Sequence, residues 1–233
     1  MKNNEHATRG TRIGWLLAAC GLWAGASAHA AGHFDIDDAA TLDPGQCQYE
    51  TWWGRTGTEP VIGFHLGPAC RIGPVELGFN LDRLSTLGVR TVTGGPQIKW
   101  NFFGPAPDAT WSAAVSAGTV SDFRTGGRTG GQFVLPVSWR PTQSLQIHAN
   151  LGADWAPGTG QRTTRGGLAC EWALNDTLSL IAERSRVSRL WTSRVGARLS
   201  LTPLISLDLS ASRTGPQGVR GVVIGLNHEF SWN

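Results

Sequence analysis

Serine, histidine and carboxylate side chains are all present in the 233 residues, so acyl transfer is the first chemistry to test. A nucleophile and its base must lie within hydrogen-bond reach. Ser144 and His148 stand four residues apart, which on a strand separates them by about 13 Å. His148 could still meet a serine or Glu171 from an adjacent strand, but no Gly-x-Ser-x-Gly elbow occurs. The expectation is a hydrogen-bonding histidine rather than a catalytic one, and no enzyme; a barrel lipid hydrolase stays open as an alternative. Asp35, Asp37 and Asp38 could attract calcium, yet the segment lacks the ligand spacing and closing Glu of a calcium loop. No paired cysteine–histidine spacing suggests zinc. No metal or cofactor is expected.

Cysteine use depends on compartment, and the first thirty residues speak to that. Lys2, Arg9 and Arg12 precede an apolar stretch from Ile13 to about Ala26, and Ala28-His29-Ala30 follows. This is the layout of a secretory signal peptide cleaved after Ala30. Leu17-Ala18-Ala19-Cys20 offers the alternative of a lipobox, which would make Cys20 a lipidation site. Removing residues 1–30 lowers the formal charge from +3 to +1, so nothing recommends nucleic acid as a partner. An exported chain meets oxidising conditions, which makes a Cys47–Cys70 disulfide plausible. Cys170 reads as a lone residue on an apolar face.

The remaining charged residues alternate with apolar ones. Leu145, Ile147, Ala149, Leu151, Ala153 and Trp155 are interleaved with Gln146, His148, Asn150, Gly152 and Asp154. Period two over about ten residues is a strand with one apolar and one polar face. Twelve such segments run between residues 46 and 232. Short turns near 142–143, 175–177 and 202–203 alternate with longer Gly/Arg/Ser loops near 121–130, 156–163 and 214–217. With 31 glycines and 16% charged residues, a long helix or a disordered chain is excluded. The predicted class is all-β, a transmembrane antiparallel up-and-down β-barrel of about 12 strands over residues 46–233. Residues 31–45 are expected as a solvated periplasmic N-terminal arm.

Tryptophan placement favours lipid over a second protein layer. Trp100, Phe102, Trp111, Trp139, Trp172 and Trp232 fall near one end of their strands, and Trp53, Trp155 and Trp191 near the other. Indole rings collect at membrane interfaces. Phe230-Ser231-Trp232 near the chain end resembles the aromatic terminus read by outer-membrane assembly machinery.

In such a barrel the polar face lines the lumen. Glu50, His65, Glu76, Lys99, His148, Asp154, Glu171, Glu183, Arg194, Arg198, Asp208 and Glu229 are the lumen-lining candidates. They serve equally as space-filling ion pairs or as a polar constriction selecting solutes. Arginines crowd the proposed outer loops, with Arg124, Arg128, Arg162, Arg165, Arg186, Arg189 and Arg213 as candidates for an outer rim. Guanidinium forks grip phosphate and carboxylate bidentately. The rim could hold lipopolysaccharide or draw anions to a pore.

Residues 37–50, DDAATLDPGQCQYE, resemble the opening of a Gram-negative outer-membrane family named for the MetA/meta pathway of phenol degradation. Its members look like outer-membrane channels, and the resemblance implies uptake of aromatic compounds; it implies no binding residue. The expectation is a monomeric cell-outer-membrane barrel, a passive channel for small aromatic, hydrophobic or anionic solutes. A non-conducting structural barrel that binds lipopolysaccharide is the alternative.

Overall fold

The computed structural model describes residues 33–57, 61–124, 126–156, 161–187 and 189–232. The signal-like segment 1–30, with Cys20, and the side chain of Arg128 lie outside the described residues. Twelve strands follow one another: β1 (Gln46–Thr56), β2 (Val61–Ile72), β3 (Val75–Thr86), β4 (Val89–Phe103), β5 (Trp111–Asp122) and β6 (Arg128–Thr142). They continue as β7 (Leu145–Trp155), β8 (Arg162–Ala173), β9 (Leu178–Val187), β10 (Leu190–Thr202), β11 (Ile205–Thr214) and β12 (Val219–Ser231). Each pairs antiparallel with its sequence neighbours, and β1 pairs with β12 to close the barrel. Closure leaves no unpaired edge, the condition for strands to cross hydrocarbon. Among the described residues no helix is long and apolar enough to cross a membrane.

The two faces invert the pattern of a water-soluble protein. Leu151, Leu168, Val195 and Leu209 point outward and are 60–68% exposed, whereas inward-facing His148, Glu171 and Asp208 are at most 1% exposed. A soluble domain rarely exposes so continuous an apolar wall. The period-two alternation does this by itself, because a slip of one residue would turn every strand inside out. Trp100, Phe102, Trp111, Trp139, Trp172 and Trp232 are exposed near the end that carries both termini. Trp53 and Trp191 are exposed toward the opposite end. Trp111 and Trp139 stack at 5.3 Å.

The connections differ from the expected short-turn and long-loop division. Residues 104–110, at the terminus end, form the longest link, and the opposite end has links as short as residues 87–88. Leu87 and Gly88 both take positive φ (49° and 82°), the backbone of a tight two-residue hairpin whose twist matches its strands. Cys47 and Cys70, cross-strand partners on β1 and β2, are joined by a disulfide. Cys170 is exposed and free.

Candidate functional site

The inward face of the barrel is a set of charged groups placed by register. Arg198 on β10 faces Asp208 on β11, and its Nε and Nη2 donate to the two carboxylate oxygens at 2.8 and 3.0 Å. Asn227 adds a bond to Asp208 from β12, and Glu171 on β8 lies 3.7 Å from the Arg198 Nη1. Arg194 pairs with Glu183 at 3.1 Å. His65 bonds Asp82 at 2.8 Å and stacks on Trp52. Glu76 and Lys99 face each other across β3 and β4. Glu50 and Glu229 hold inward positions nearer the terminus end. Buried charge is tolerated only when paired or hydrogen-bonded. Arg198, Asp208, Arg194 and Glu183 meet that demand with close partners. Glu171 has the Arg198 charge nearby and, among the described residues, no hydrogen bond to either carboxylate oxygen.

The segment expected as a solvated arm runs inside the barrel instead. Residues 33–45 are held by the lumen wall through their own backbone. Glu183 accepts from Asp35 N–H and Ile36 N–H at 3.0 and 3.1 Å, Ser138 from Ala39 N–H, and Glu76 from Leu42 N–H. Asn101 and Arg71 donate to the carbonyls of Ala39 and Leu42, and Arg194 donates to that of His33. With its amide flipped, Asn150 accepts from Asp37 N–H and donates to the Asp37 carbonyl. This is strand-like recognition by side chains. Lys99 pairs with Asp38 at 3.0 Å and Arg194 with Asp35 at 3.5 Å.

The physical reason is that the segment is not uniformly polar. Phe34, Ile36, Ala39 and Leu42 are buried, as are inward-facing Ala114, Val134, Ala169 and Ile181. Apolar side chains at lumen positions signal that something other than water fills the space. Gly196 and Gly225 complete the fit, because a Cβ there would come within 3.1 Å of Phe34 and 3.0 Å of His33.

His148 does find a serine across strands. Its Nδ1 lies 2.8 Å from Ser138 Oγ, the same oxygen that accepts from Ala39. The pair is covered by the seated arm, and His148 is fully buried. It acts as a clamp on the arm.

One cavity adjoins the arm and another opens at the far mouth. At the terminus end, space lined by Asp38, Asn101, Ser138 and Arg140 amounts to about 40 Å³. At the opposite mouth a vestibule of about 390 Å³ is lined by Gln132, Asp154, Trp155, Arg165 and Arg189, among others. Arg165, expected on the outer rim, turns inward: it bonds Gln132 at 2.9 Å and Asp154 at 3.1 Å. Its strand parity, shared with Ala169 and Glu171, explains this, and proximity to a loop does not override it. Arg162 packs over Trp155, and Arg124, Arg189 and Arg213 are exposed. Arg186 is half-buried and leaves its Nε without a hydrogen-bond partner. Among the described residues no cluster of His, Cys, Asp or Glu is arranged to hold a metal ion.

A family model described as uncharacterised conserved protein UCP029691 matches residues 18–216. That name differs from the phenol-pathway family that residues 37–50 resemble. No curated protein matches the chain. Among solved structures it is similar to the KdgM porin, with TM-score 0.63 and 8% identity over 78% of this chain and 99% of that one. The KdgM porin in complex with disordered oligogalacturonate gives 0.60, with 8% identity over 79% and 99%. The COG4313 outer membrane channel from Pseudomonas putida F1 gives 0.62, with 11% identity over 84% and 100%. Outer membrane phospholipase A from Escherichia coli gives 0.51, with 12% identity over 81% and 98%. At these identities the likeness establishes the fold.

Proposed function

We propose, for a chain that belongs to the uncharacterised conserved protein UCP029691 family, that it is a passive outer-membrane channel for small anionic solutes, aromatic carboxylates among them. The observation that carries this reading is the vestibule of about 390 Å³ at the mouth opposite the termini, with Arg165 and Arg189 in its lining. Its size suits a small organic molecule. Exposed Arg189 there would attract carboxylates, with Arg165 already paired to Asp154, and Trp155 offers an aromatic surface. The fold shared with the KdgM porin, described with the acidic sugar chain oligogalacturonate, supports an anionic cargo. The likeness of residues 37–50 to the phenol-pathway family supports an aromatic one.

With the arm seated, residues 33–45 stand inside the barrel between its two mouths. Conduction therefore requires residues 33–45 to yield. The test is a planar-bilayer recording of the processed protein beside a variant lacking residues 33–43. The full chain is expected to show rare openings and the shortened one frequent, anion-preferring steps, with the preference reduced by Arg189→Glu. Sealed bilayers from both proteins would end the channel reading.

A further inference from the structure

The outer wall carries a second charged feature that the channel reading does not use. Arg184 on β9 is the cross-strand partner of Ser193 on β10, Ser193 of Arg213 on β11, and Arg213 of Arg220 on β12. Three arginines thus occupy one row across four neighbouring strands, near the end opposite the termini. All three are exposed. Their sequence neighbours Glu183 and Ser185 bind the arm inside, so by strand alternation the row faces outward.

Among the described residues of β9 to β12 the row has no counter-charge on its own face. The acidic residues of β9 to β12 are Glu183, Asp208 and Glu229, and all three hold inward positions. Like charges directly opposite each other on an antiparallel pair repel, and the repulsion grows as water is removed. Arg213 and Arg220 are such a pair. Arg184 donates to Ser193 Oγ at 2.6 Å and lies 5.3 Å from the Trp191 ring, which orients its guanidinium at interface depth.

The next outward row toward the membrane centre is Ala182, Val195, Ala211 and Val222. Small and larger apolar side chains alternate along this row of the outer wall. A basic row above such a wall fits an amphiphile with a polyanionic head and hydrocarbon tails. Barrel termini stay on the periplasmic side, so this row meets the outer leaflet. We propose that Arg184, Arg213 and Arg220 form a binding site for the phosphorylated sugar headgroup of lipopolysaccharide, with Arg213 and Arg220 sharing one phosphate. Neighbouring strands are about 4.8 Å apart, so Arg184 reaches a second anionic group about 10 Å away. Bidentate arginine forks favour phosphate monoester oxygens.

The test refolds the full processed chain into phosphatidylcholine nanodiscs containing lipopolysaccharide, dephosphorylated lipopolysaccharide or phosphatidylglycerol, and measures retained lipid by native mass spectrometry. Lipopolysaccharide is expected to be retained and the other two to be lost. Arg213→Gln/Arg220→Gln should lower retention at least tenfold, whereas Arg83→Gln/Arg90→Gln, the same charge change on β3 and β4, should leave it intact. Arg213→Lys/Arg220→Lys keeps the charge, removes the forks and should also lose retention, which guards against a Gln variant that fails to fold. Equal retention of phosphatidylglycerol, equal loss from the β3–β4 variant, or full retention by the Lys variant would overturn the proposal. Conductance plays no part in these readouts, so the site and the channel reading fail separately.

Discussion

Arg198 and Arg213 project from adjacent strands to opposite sides of one sheet, and their surroundings differ completely. Arg198 is buried between Asp208 and Glu171, with every partner supplied by the protein. Arg213 stands exposed on the outer wall facing another arginine. One guanidinium is a structural part of the lumen; the other has its charge left for the surroundings to answer. The lesson is that arginine content near a barrel mouth says little until strand parity assigns each residue to a side. Arg165 makes the point, since it lies beside a loop yet bonds Asp154 inside.

The largest expected effect tests the inner half of this contrast. Arg198→Met strands two buried carboxylates and should destabilise the barrel by about 3–5 kcal/mol, read as a shift in urea-driven unfolding from lipid vesicles. Adding Asp208→Leu should recover part of the loss. An unchanged midpoint in the single variant would mean that the lumen is wet enough to screen the pair, and the contrast would shrink.

A smaller effect is expected where the arm meets the wall. Lys99→Met removes the Asp38 partner at 3.0 Å. One charge-assisted bond is worth about 1.5–3 kcal/mol, so the arm should leave its seat at least about tenfold more often. Open probability in bilayers and proteolysis of residues 33–45 both report it. Protection equal to that of the original protein would show that the backbone bonds to Glu183, Ser138 and Glu76 hold the arm alone.

The smallest effect sharpens the outer half. In vesicles of phosphatidylcholine alone, Arg213→Gln should change stability by no more than about 1 kcal/mol, and toward greater stability, because it relieves a like-charge pair. A loss as large as that of Arg198→Met would show that Arg213 is structurally satisfied after all.

Much of this was legible in advance. Alternation in segments such as 145–155 specified the strands, their faces and the lumen positions of Glu76, Lys99, His148, Glu171, Glu183, Arg198 and Asp208. The arm was not legible from charge, because Asp35, Asp37 and Asp38 look like a solvated run when their partners are unknown. The hint lay in Phe34, Ile36 and Leu42, together with Val134, Ile181, Gly196 and Gly225 at lumen parity. The Ser138–His148 contact was open for the same reason: ten residues separate the two, and only the β6–β7 register brings them opposite each other.

Local sequence determined that this chain makes amphipathic strands with greasy outer sides, because a period of two projects directly onto a pleated sheet. Tertiary structure alone decided that residues 33–45 fill the lumen, and that Arg213 faces Arg220 while Arg198 faces Asp208. Those outcomes depend on closure and register, which bring together groups as far apart as the 177 residues between His33 and Ser210 and more, and no local pattern encodes such pairings.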